Sequence, residues 1–555
     1  MNVQAAHTPL RNRMLYLAVF AGGMTTLAVE LTASRLLGNI FGTSNLVWAN
    51  VIGLMLLYLT VGYFVGGRIA DRWPRHVVLY RIIAWGAFFS GLVPLVSRPV
   101  LSAAASAVIG FEAGVALGSF IGVLVLFAVP ITLLGCVSPF AIRLAVADIG
   151  QAGQIAGRMY AISTLGSLVG TFLPVLWLIP EVGTARTFLI FSGLLLAIAL
   201  VGLLTVGVEG RRAALRLAWM PVVLAVVAAI TLSGPLRPPP AHTRLLFEKD
   251  SAYNYIQVAE YTTPIGRLAD GQFVMQWDRG TRVLLLNEGQ GIHSIYHPEG
   301  GFYGGTWDIF LAAPFFNAPR YAPEAVGSLA VIGLAAGTIS TQYTSVFGER
   351  IRIDGIEIDP DIVEAGRRFF GMDQPNLRVI VEDGRLGLRQ TDARYDVVAI
   401  DAYRVPYVPW HLTTLEWFRE VRDRLTPQGV VVINVGRVSN AAAGTQDRRL
   451  VEAMTNTMQH VFPSVHTLDV PDSFNTILVG TLTLTEPANL AANLALLPTD
   501  APPLLRRSLE TAVSALRPSI ASDVLFTDDR APVETIVNAM LIEFLAGGGA
   551  TQFSP

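Results

Sequence analysis

The stretch from residue 328 to residue 402 alternates four short apolar, β-branched runs with turn residues and helix-like segments. The runs cover residues 329–334, 351–358, 377–381 and 395–400. This alternation is typical of a parallel sheet wrapped by helices. Ligands of such sheets bind outside the carboxyl ends of the strands, so the residues that end each run are the candidate functional residues.

Glycines and acidic residues mark all four strand ends: Gly333, Gly337, Glu357, Asp383, Gly384 and Asp401. Small residues after the first run let the backbone approach a ligand, and the next helix offers free N–H groups at its start. Glu357 follows Gly337 by twenty positions, about the spacing at which an acid reaches the hydroxyls of a ribose. We interpret the four ends together as a nucleoside pocket without an obvious phosphate clamp.

These strand ends resemble the spermidine synthase family of aminopropyltransferases, which is built on a methyltransferase-like sheet. The resemblance implies that Glu357 holds the ribose of decarboxylated S-adenosylmethionine and that Asp383 binds the adenine amine. It also implies that Asp401 is the catalytic residue, which deprotonates the acceptor amine. Gly333, Gly337 and Gly384 would complete the nucleoside-binding residues. The resemblance extends over roughly residues 245–542, apart from insertions.

The composition indicates that part of the chain lies in a membrane. The chain has 555 residues, of which 52% are hydrophobic and only 15% charged, and its mean hydropathy is +0.49. A soluble enzyme of average composition is less apolar. The net charge of -2 gives no reason to expect nucleic acid as a partner. The single cysteine, Cys136, excludes an internal disulfide framework and a cysteine-based zinc site, and no other metal motif is present.

Seven apolar runs between residues 14 and 233 are each long enough to cross a bilayer: residues 14–38, 46–67, 77–97, 114–137, 157–179, 187–207 and 214–233. With a cytoplasmic N-terminus, one side of the membrane carries most of the arginines, as cytoplasmic loops do. Seven spans then place the C-terminal domain outside, where this family's nucleoside is not expected. Three alternatives stay open: residues 99–112 also insert, one span is re-entrant, or the domain is external.

We expect a multi-span α-helical membrane domain followed by an α/β domain. The predicted boundaries are residues 1–236 for the helical domain, 237–244 for a Pro-rich linker, 245–320 for a small antiparallel β-sheet, and 321–555 for the methyltransferase-like domain with its mainly parallel sheet. Residues 527–534, rich in charge, resemble the C-terminal signature of membrane-fused spermidine synthase-like proteins. We interpret this segment as a salt-bridged loop that supports the pocket.

Five further residues are candidates for substrate binding: Asn254, Gln290, Asp308, Tyr403 and Arg404. Asn254 stands where the family usually has glutamine, Gln290 lies near the family's Asp-Gly turn, and Asp308 matches the acid of its Tyr-His-Glu. Tyr403 and Arg404 occupy the place of a second aspartate that binds the distal amine of putrescine. A cation there would repel a diamine, so the acceptor is left open.

Two features belong to the predicted membrane domain. Residues 67–75 resemble the loop between the second and third helices of major facilitator transporters, but a basic cytoplasmic loop explains them as well. Glu30 is an ionisable group within the first span, which makes it a functional candidate. A pairing of Glu30 with Arg35 at the membrane surface is the alternative.

The sequence thus predicts an integral protein of a bacterial inner membrane that transfers an aminopropyl group from decarboxylated S-adenosylmethionine to an amine or polyamine. No tightly bound cofactor is expected, and a homodimer is left open. Two rival hypotheses remain. Arg404 could face the carboxylate of intact S-adenosylmethionine, which favours methyl transfer. Ala335 replaces a family glycine, which, with the transporter-like loop, favours a non-catalytic sensor coupled to a carrier.

Overall fold

The structure is a computed structural model that describes residues 9–41, 45–107, 114–146, 149–235, 237–269, 272–287, 291–403, 408–440, 445–471 and 473–546. Within these ranges the chain forms two compact units. Of the described residues, the first unit contains those from 9 to 237 together with 250–252, and the second contains those of 238–249 and 253–546.

The first unit is helical. Its helices are α1 (Pro9–Phe41), α2 (Asn45–Arg72), α3 (His76–Ala107), α4 (Gly114–Gly135), α5 (Val137–Ala145), α6 (Ala152–Leu173), α7 (Ile179–Val182), α8 (Thr184–Leu204), α9 (Val208–Leu217) and α10 (Trp219–Thr231). A π-helical turn, Pro174–Leu178, joins α6 to α7. Helix α1 packs against α6 and α8, and α3 packs against α4 and α8.

Seven helical segments in the described part of the chain are long and apolar enough to cross a membrane: Leu10–Gly38, Asn45–Arg72, His76–Leu101, Leu117–Ala145, Ala152–Val182, Thr184–Leu204 and Val208–Ile230. The predicted multi-span helical domain is confirmed to this extent. Residues 102–107 continue α3 rather than forming a separate element, whereas 108–113 lie outside the described residues.

Small residues bring α1 and α6 into backbone contact. A Cβ atom added to Gly166 would lie 2.0 Å from the Phe20 carbonyl oxygen, and one added to Gly170 would lie 2.0 Å from that of Met24. Both distances are far below any normal contact, so neither position accepts a larger residue without moving a helix. Close approach through small residues is the usual way in which helices associate where no hydrophobic effect drives them together.

The second unit is an α/β unit. Its strands are β1 (Thr243–Asp250), β2 (Tyr255–Tyr261), β3 (Ile265–Ala269), β4 (Gln272–Trp277), β5 (Arg282–Leu286), β6 (Ile292–Tyr296), β7 (Ser328–Ile332), β8 (Arg352–Glu357), β9 (Leu377–Val381), β10 (Tyr395–Ile400), β11 (Leu425–Gly436), β12 (Val438–Asn440), β13 (Thr445–Asp447), β14 (Ser464–Asp469), β15 (Asn475–Thr481) and β16 (Leu516–Arg517).

Nine helices accompany these strands in the described residues: α11 (Thr306–Phe310), α12 (Thr338–Phe347), α13 (Pro360–Phe369), α14 (Gly384–Arg389), α15 (Leu415–Asp423), α16 (Arg449–Gln459), α17 (Ala488–Ala495), α18 (Pro503–Ala515) and α19 (Val533–Ala546). Short 3-10 turns occur at Ala313–Phe316, Pro323–Ala325 and Trp410–Leu412. Helix α18 ends at Ala515, and the chain then enters β16 directly.

Eight strands form the main sheet in the order β16-β14-β15-β11-β10-β7-β8-β9. The five strands from β11 to β9 pair in parallel, and β15, β14 and β16 add antiparallel pairs at the other side. A separate sheet, β1-β2-β5-β6, contains the antiparallel pairs β2-β5 and β5-β6. The expected fold class, a mainly parallel sheet preceded by a small antiparallel one, is confirmed.

Both faces of the main sheet are buried, as parallel sheets require. Alternate residues of β7, Leu329 and Val331, join one core, while Ala330 and Ile332 join the other. Helices α12 and α18 cover the first face, and α15, α16 and α19 cover the second. Because both faces are closed, the edge formed by the strand ends is where polar groups can meet a ligand.

The contact between α1 and α6 leads to a prediction. We expect Gly166→Ala to lower the stability of the protein by about 1–3 kcal/mol, because the added methyl group overlaps the Phe20 carbonyl. Thermal unfolding in detergent measures the loss. Gly157→Ala is the matched control, since Gly157 lies on the same helix with no atom within 4 Å of the added Cβ. Equal unfolding temperatures for the two variants would contradict the close packing.

Candidate active site

The register of the parallel strands places three candidate residues and one further polar residue in one row. Ile332 pairs with Ile356 and with Ile400, and Ile400 pairs with Ile433. The residues that follow these four are Gly333, Glu357, Asp401 and Asn434, which are therefore neighbours across the carboxyl ends of the strands. The sheet alone brings two carboxyl groups and one amide to the same edge.

The turn after β7 is in close backbone contact with the chain after β10. Gly333 has a φ of 83°, and a Cβ atom on it would lie 2.6 Å from Cα of Ala402. Gly337 has a φ of 90° and would clash with Met372. Packing and backbone conformation thus account for both glycines. Their predicted contact with a nucleoside stays a prediction.

Glu357 binds the backbone around the end of β8. Its Oε2 accepts the Ala335 N–H (2.9 Å) and its Oε1 accepts the Asp359 N–H (3.1 Å). Burial raises the pKa of the Glu357 carboxyl to about 7, although these N–H donors act in the opposite direction. Ala335 itself has a φ of 48°, a conformation that favours glycine, and it still reaches the carboxylate.

Asp401 is held between two N–H donors. The indole N–H of Trp307 donates to Oδ2 (3.1 Å), and the Asn434 side-chain amide donates to Oδ1 (2.9 Å). Burial raises the pKa of Asp401 to about 6, and the two hydrogen bonds oppose this rise. Oδ1 of Asn434 is buried and has no hydrogen-bond partner among the described residues. Asp401 therefore has a pKa near neutral pH, and a hydrogen-bond acceptor of Asn434 lies next to it.

Asp308 positions Trp307 by binding the backbone at the start of its helix. Its carboxylate, fully buried, accepts the N–H groups of Tyr303 (3.1 Å) and Gly305 (2.9 Å) and one from the Gln342 amide (2.8 Å). These bonds cap the start of α11, the short helix that carries Trp307. Burial raises the pKa of Asp308 to about 6. Asp308 thus supports the turn, while its direct contact with a substrate stays a prediction.

Asp383 caps α14 with one oxygen and contacts a histidine with the other. Its Oδ1 accepts the N–H groups of Arg385 (3.0 Å) and Leu386 (3.2 Å). Its Oδ2 lies 3.0 Å from Nε2 of His411. The hydrogen bond to His411 is the largest cause that lowers the pKa of Asp383 to about 2. Gly384 follows, and a Cβ atom on it would lie 2.6 Å from Ile332.

An ion-pair network lies behind Asp383. Arg385 forms two hydrogen bonds of 2.8 Å with Asp528, and it also binds Glu420 (2.6 Å). The side chain of Arg385 is only 11% exposed. Thr414, which caps α15, donates to Asp528 (2.6 Å). Asp528 belongs to the charged segment 527–534, and its pairing with Arg385 agrees with the interpretation of a salt-bridged loop.

The remaining candidates are spread around this edge. Asn254 donates to Asp359 (3.0 Å) and accepts from Asn287 (2.9 Å), so it links the small sheet to the turn after Glu357. Tyr403 is partly buried, its hydroxyl accepts the Gly436 N–H, and burial raises its pKa. Gln290 and Arg404 lie outside the described residues.

Sequence reasoning missed three residues that the fold adds to the site: Trp307, His411 and Asn434. One signal was present, because Asn434 is a polar residue within an otherwise apolar strand, 430–435. Trp307 and His411 gave no such signal, because their partners are remote in sequence. Within the described ranges, no group of three or more His, Cys, Asp or Glu side chains could hold a metal ion.

Residues 341–483 match the family model of the spermine/spermidine synthase domain. A probable polyamine aminopropyl transferase of Bifidobacterium longum is 30% identical over 236 residues, which are 42% of this chain and 46% of that protein. A polyamine aminopropyltransferase of Vibrio vulnificus is 29% identical over 179 residues, 31% of this chain and 54% of that protein. This chain therefore spans about half the length of the curated relatives that it matches.

Among solved structures, a probable spermidine synthase from Corynebacterium glutamicum is similar to the chain with 19% sequence identity and a TM-score of 0.35. The similarity covers 52% of this chain and 99% of that structure.

The close approach at Gly333 leads to a second prediction. Gly333→Ala should destabilise the α/β unit more than Gly348→Ala, although both glycines have a positive φ. Each variant loses about 1–3 kcal/mol because an alanine is strained at a positive φ. Only Gly333→Ala adds an overlap with Ala402, which should cost about 1–3 kcal/mol more. Thermal unfolding of the full-length protein compares the two, and equal losses would show that Gly333 serves conformation alone.

Proposed function

We propose, on the premise that the C-terminal part of this chain is a spermine/spermidine synthase domain, that the protein transfers an aminopropyl group from decarboxylated S-adenosylmethionine to an amine. The observation that carries the proposal is the environment of Asp401. This carboxylate ends β10, is oriented by Trp307 and Asn434, and has a pKa raised to about 6 by burial. A base of this kind is ionised at neutral pH and still accepts a proton readily.

The reaction requires an amine with a free lone pair. Asp401 takes a proton from the acceptor ammonium, and the freed nitrogen attacks the methylene carbon next to the sulfonium. A C–N bond forms as the C–S bond breaks, its electron pair stays on sulfur, and methylthioadenosine leaves uncharged. Oδ1 of Asn434, which has no partner in the described ranges, can accept a second N–H of the amine, which would orient its lone pair. The site supplies proximity, orientation and a general base.

The nucleoside would occupy the edge beside Asp401. Glu357 lies in the same row and would accept the two ribose hydroxyls, whereas Asp383 would accept the adenine amine. Gly333, Gly337 and Gly384 shape this edge by letting the turns pass close to one another. The same edge would admit intact S-adenosylmethionine, so methyl transfer is the second outcome that the experiment below separates.

The acceptor is proposed only as an amine. Asn254, Gln290, Asp308, Tyr403 and Arg404 remain our candidates for contacts with it. Its distal end would not meet the second aspartate of soluble spermidine synthases, because Arg404 stands there. An acceptor with one amine, or with an anionic group far from that amine, fits this charge pattern better than a diamine. We further propose that the helical unit inserts this protein in a bacterial inner membrane.

Asp401→Asn tests the proposed chemistry. The substitution keeps the shape of the side chain but removes the base, so turnover should fall by about 10²- to 10⁴-fold while nucleoside affinity stays within a few-fold. In the wild-type protein, turnover should decline as the pH falls through about 6, because Asp401 becomes protonated there. Product formation from a panel of amines, with decarboxylated or intact S-adenosylmethionine, measures the effect.

Asp392→Asn is the matched control, since Asp392 is exposed on the same unit. Full turnover in Asp401→Asn would contradict the catalytic role of Asp401. Methyl transfer without aminopropyl transfer would replace the proposal by the methyltransferase function. If the wild-type protein binds the nucleoside but transfers neither group, the hypothesis of a non-catalytic sensor replaces the proposal.

Glu357 leads to a prediction for binding. A ribose diol donates hydrogen bonds to the ionised carboxylate. In the protein without a ligand, burial raises the pKa of Glu357 to about 7. Nucleoside binding near neutral pH should therefore release a proton. Affinity should therefore rise as the pH rises through about 7 and then level off. Glu357→Gln should abolish this release and weaken binding roughly tenfold or more, since a hydrogen bond to a charged group is worth about 1.5–3 kcal/mol.

Calorimetry of methylthioadenosine binding in buffers of different ionisation enthalpy measures both the affinity and the number of protons released. Glu349→Gln is the matched control, because Glu349 is exposed and follows α12 in the same unit. If Glu357→Gln and Glu349→Gln bind equally well, the ribose lies elsewhere.

A further inference from the structure

His411 lies at the one oxygen of Asp383 that faces away from the helix cap. Oδ1 of Asp383 already accepts two backbone N–H groups from the first turn of α14. Oδ2 lies 3.0 Å from Nε2 of His411. An adenine amine that binds Asp383 must therefore use Oδ2, the oxygen that His411 contacts.

The surroundings hold His411 at this position. It sits in the 3-10 turn Trp410–Leu412, and its backbone carbonyl accepts a hydrogen bond from Arg385 (3.3 Å). The His411 and Asp383 side chains are 30% and 35% exposed, so a ligand can reach both. The contact is thus accessible and at the same time anchored.

Five other charged groups lie near the pair in the described part of the chain, two arginines and three acids. Arg385 and Arg389 are bound by Glu420 and Asp528, and the remaining acid, Glu382, accepts the backbone N–H of Asp383 (3.0 Å). Histidine is the residue type among these whose charge ordinarily changes between pH 5 and 8.

We propose that His411 is a specificity-determining residue of the nucleoside site, which competes with the adenine amine for Oδ2 of Asp383 when its imidazole is protonated. An imidazolium makes a charge-assisted hydrogen bond to a carboxylate, and such bonds are roughly twice as strong as neutral ones. The adenine amine is a neutral donor, so it competes on equal terms with the neutral imidazole only. Acid conditions then reduce the affinity for adenine nucleosides. The inference rests on the proposed function, because it takes Asp383 as the adenine acceptor.

The test compares wild-type protein with His411→Gln, whose side chain stays neutral at every pH and can still donate to Asp383. Methylthioadenosine binding to the full-length protein in detergent is measured by calorimetry from pH 5.5 to pH 8.5. Glu357 is present in both proteins, so its own pH dependence cancels in the ratio of their affinities. His460→Gln is the matched control, since His460 is exposed at the end of α16.

We expect His411→Gln to bind the nucleoside roughly tenfold more tightly than wild type at pH 5.5 and equally well above pH 8. His411→Asn is a second neutral variant and should also bind more tightly than wild type at pH 5.5. Identical pH profiles for wild type and both variants would overturn the role of His411 while leaving the proposed function intact. Absence of nucleoside binding by the wild-type protein at every pH would overturn the proposed function itself, and this inference with it.

Discussion

Parallel pairing of β10 with β7 on one side and β11 on the other is the constraint on which the candidate site depends. The register aligns Ile332, Ile400 and Ile433, so that Gly333, Asp401 and Asn434 follow in a single row. A shift of one residue in any of these pairs would turn the polar side chain towards the opposite face, into a core built from apolar residues. The hydrophobic pattern that stabilises the sheet therefore also holds the polar groups together.

The carboxyl groups at this edge differ in charge preference because their surroundings differ. Glu357 and Asp401 are shielded from water, and this loss of hydration raises the pKa of each towards neutrality. Asp383 is partly exposed and accepts hydrogen bonds from His411 and from the backbone, which lowers its pKa. The edge formed by the strand ends thus contains two carboxyl groups suited to exchange a proton and a third suited to stay charged.

Support for these side chains comes from residues that bind them from behind. Asp308 caps the short helix that presents Trp307, and Trp307 in turn fixes one oxygen of Asp401. Arg385, neutralised by Glu420 and Asp528, holds the turn that carries His411. A catalytic group is effective only when its rotamer is held by such neighbours. Loss of an outer residue is therefore expected to act through the geometry of the inner one.

The sequence by itself determined the order of helical and α/β parts, the seven apolar segments and the acids at the strand ends, because periodicity and turn chemistry are local properties. The ranges 377–381 and 395–400 coincide with β9 and β10, whereas the first run ends two residues earlier than predicted, since Gly333 turns the chain at a φ of 83°. Only the tertiary structure decided that Trp307 and Asn434 contact Asp401 and that His411 contacts Asp383. Their contacts join residues 94, 33 and 28 positions apart, and such pairs depend on strand register and helix packing, which no local pattern records.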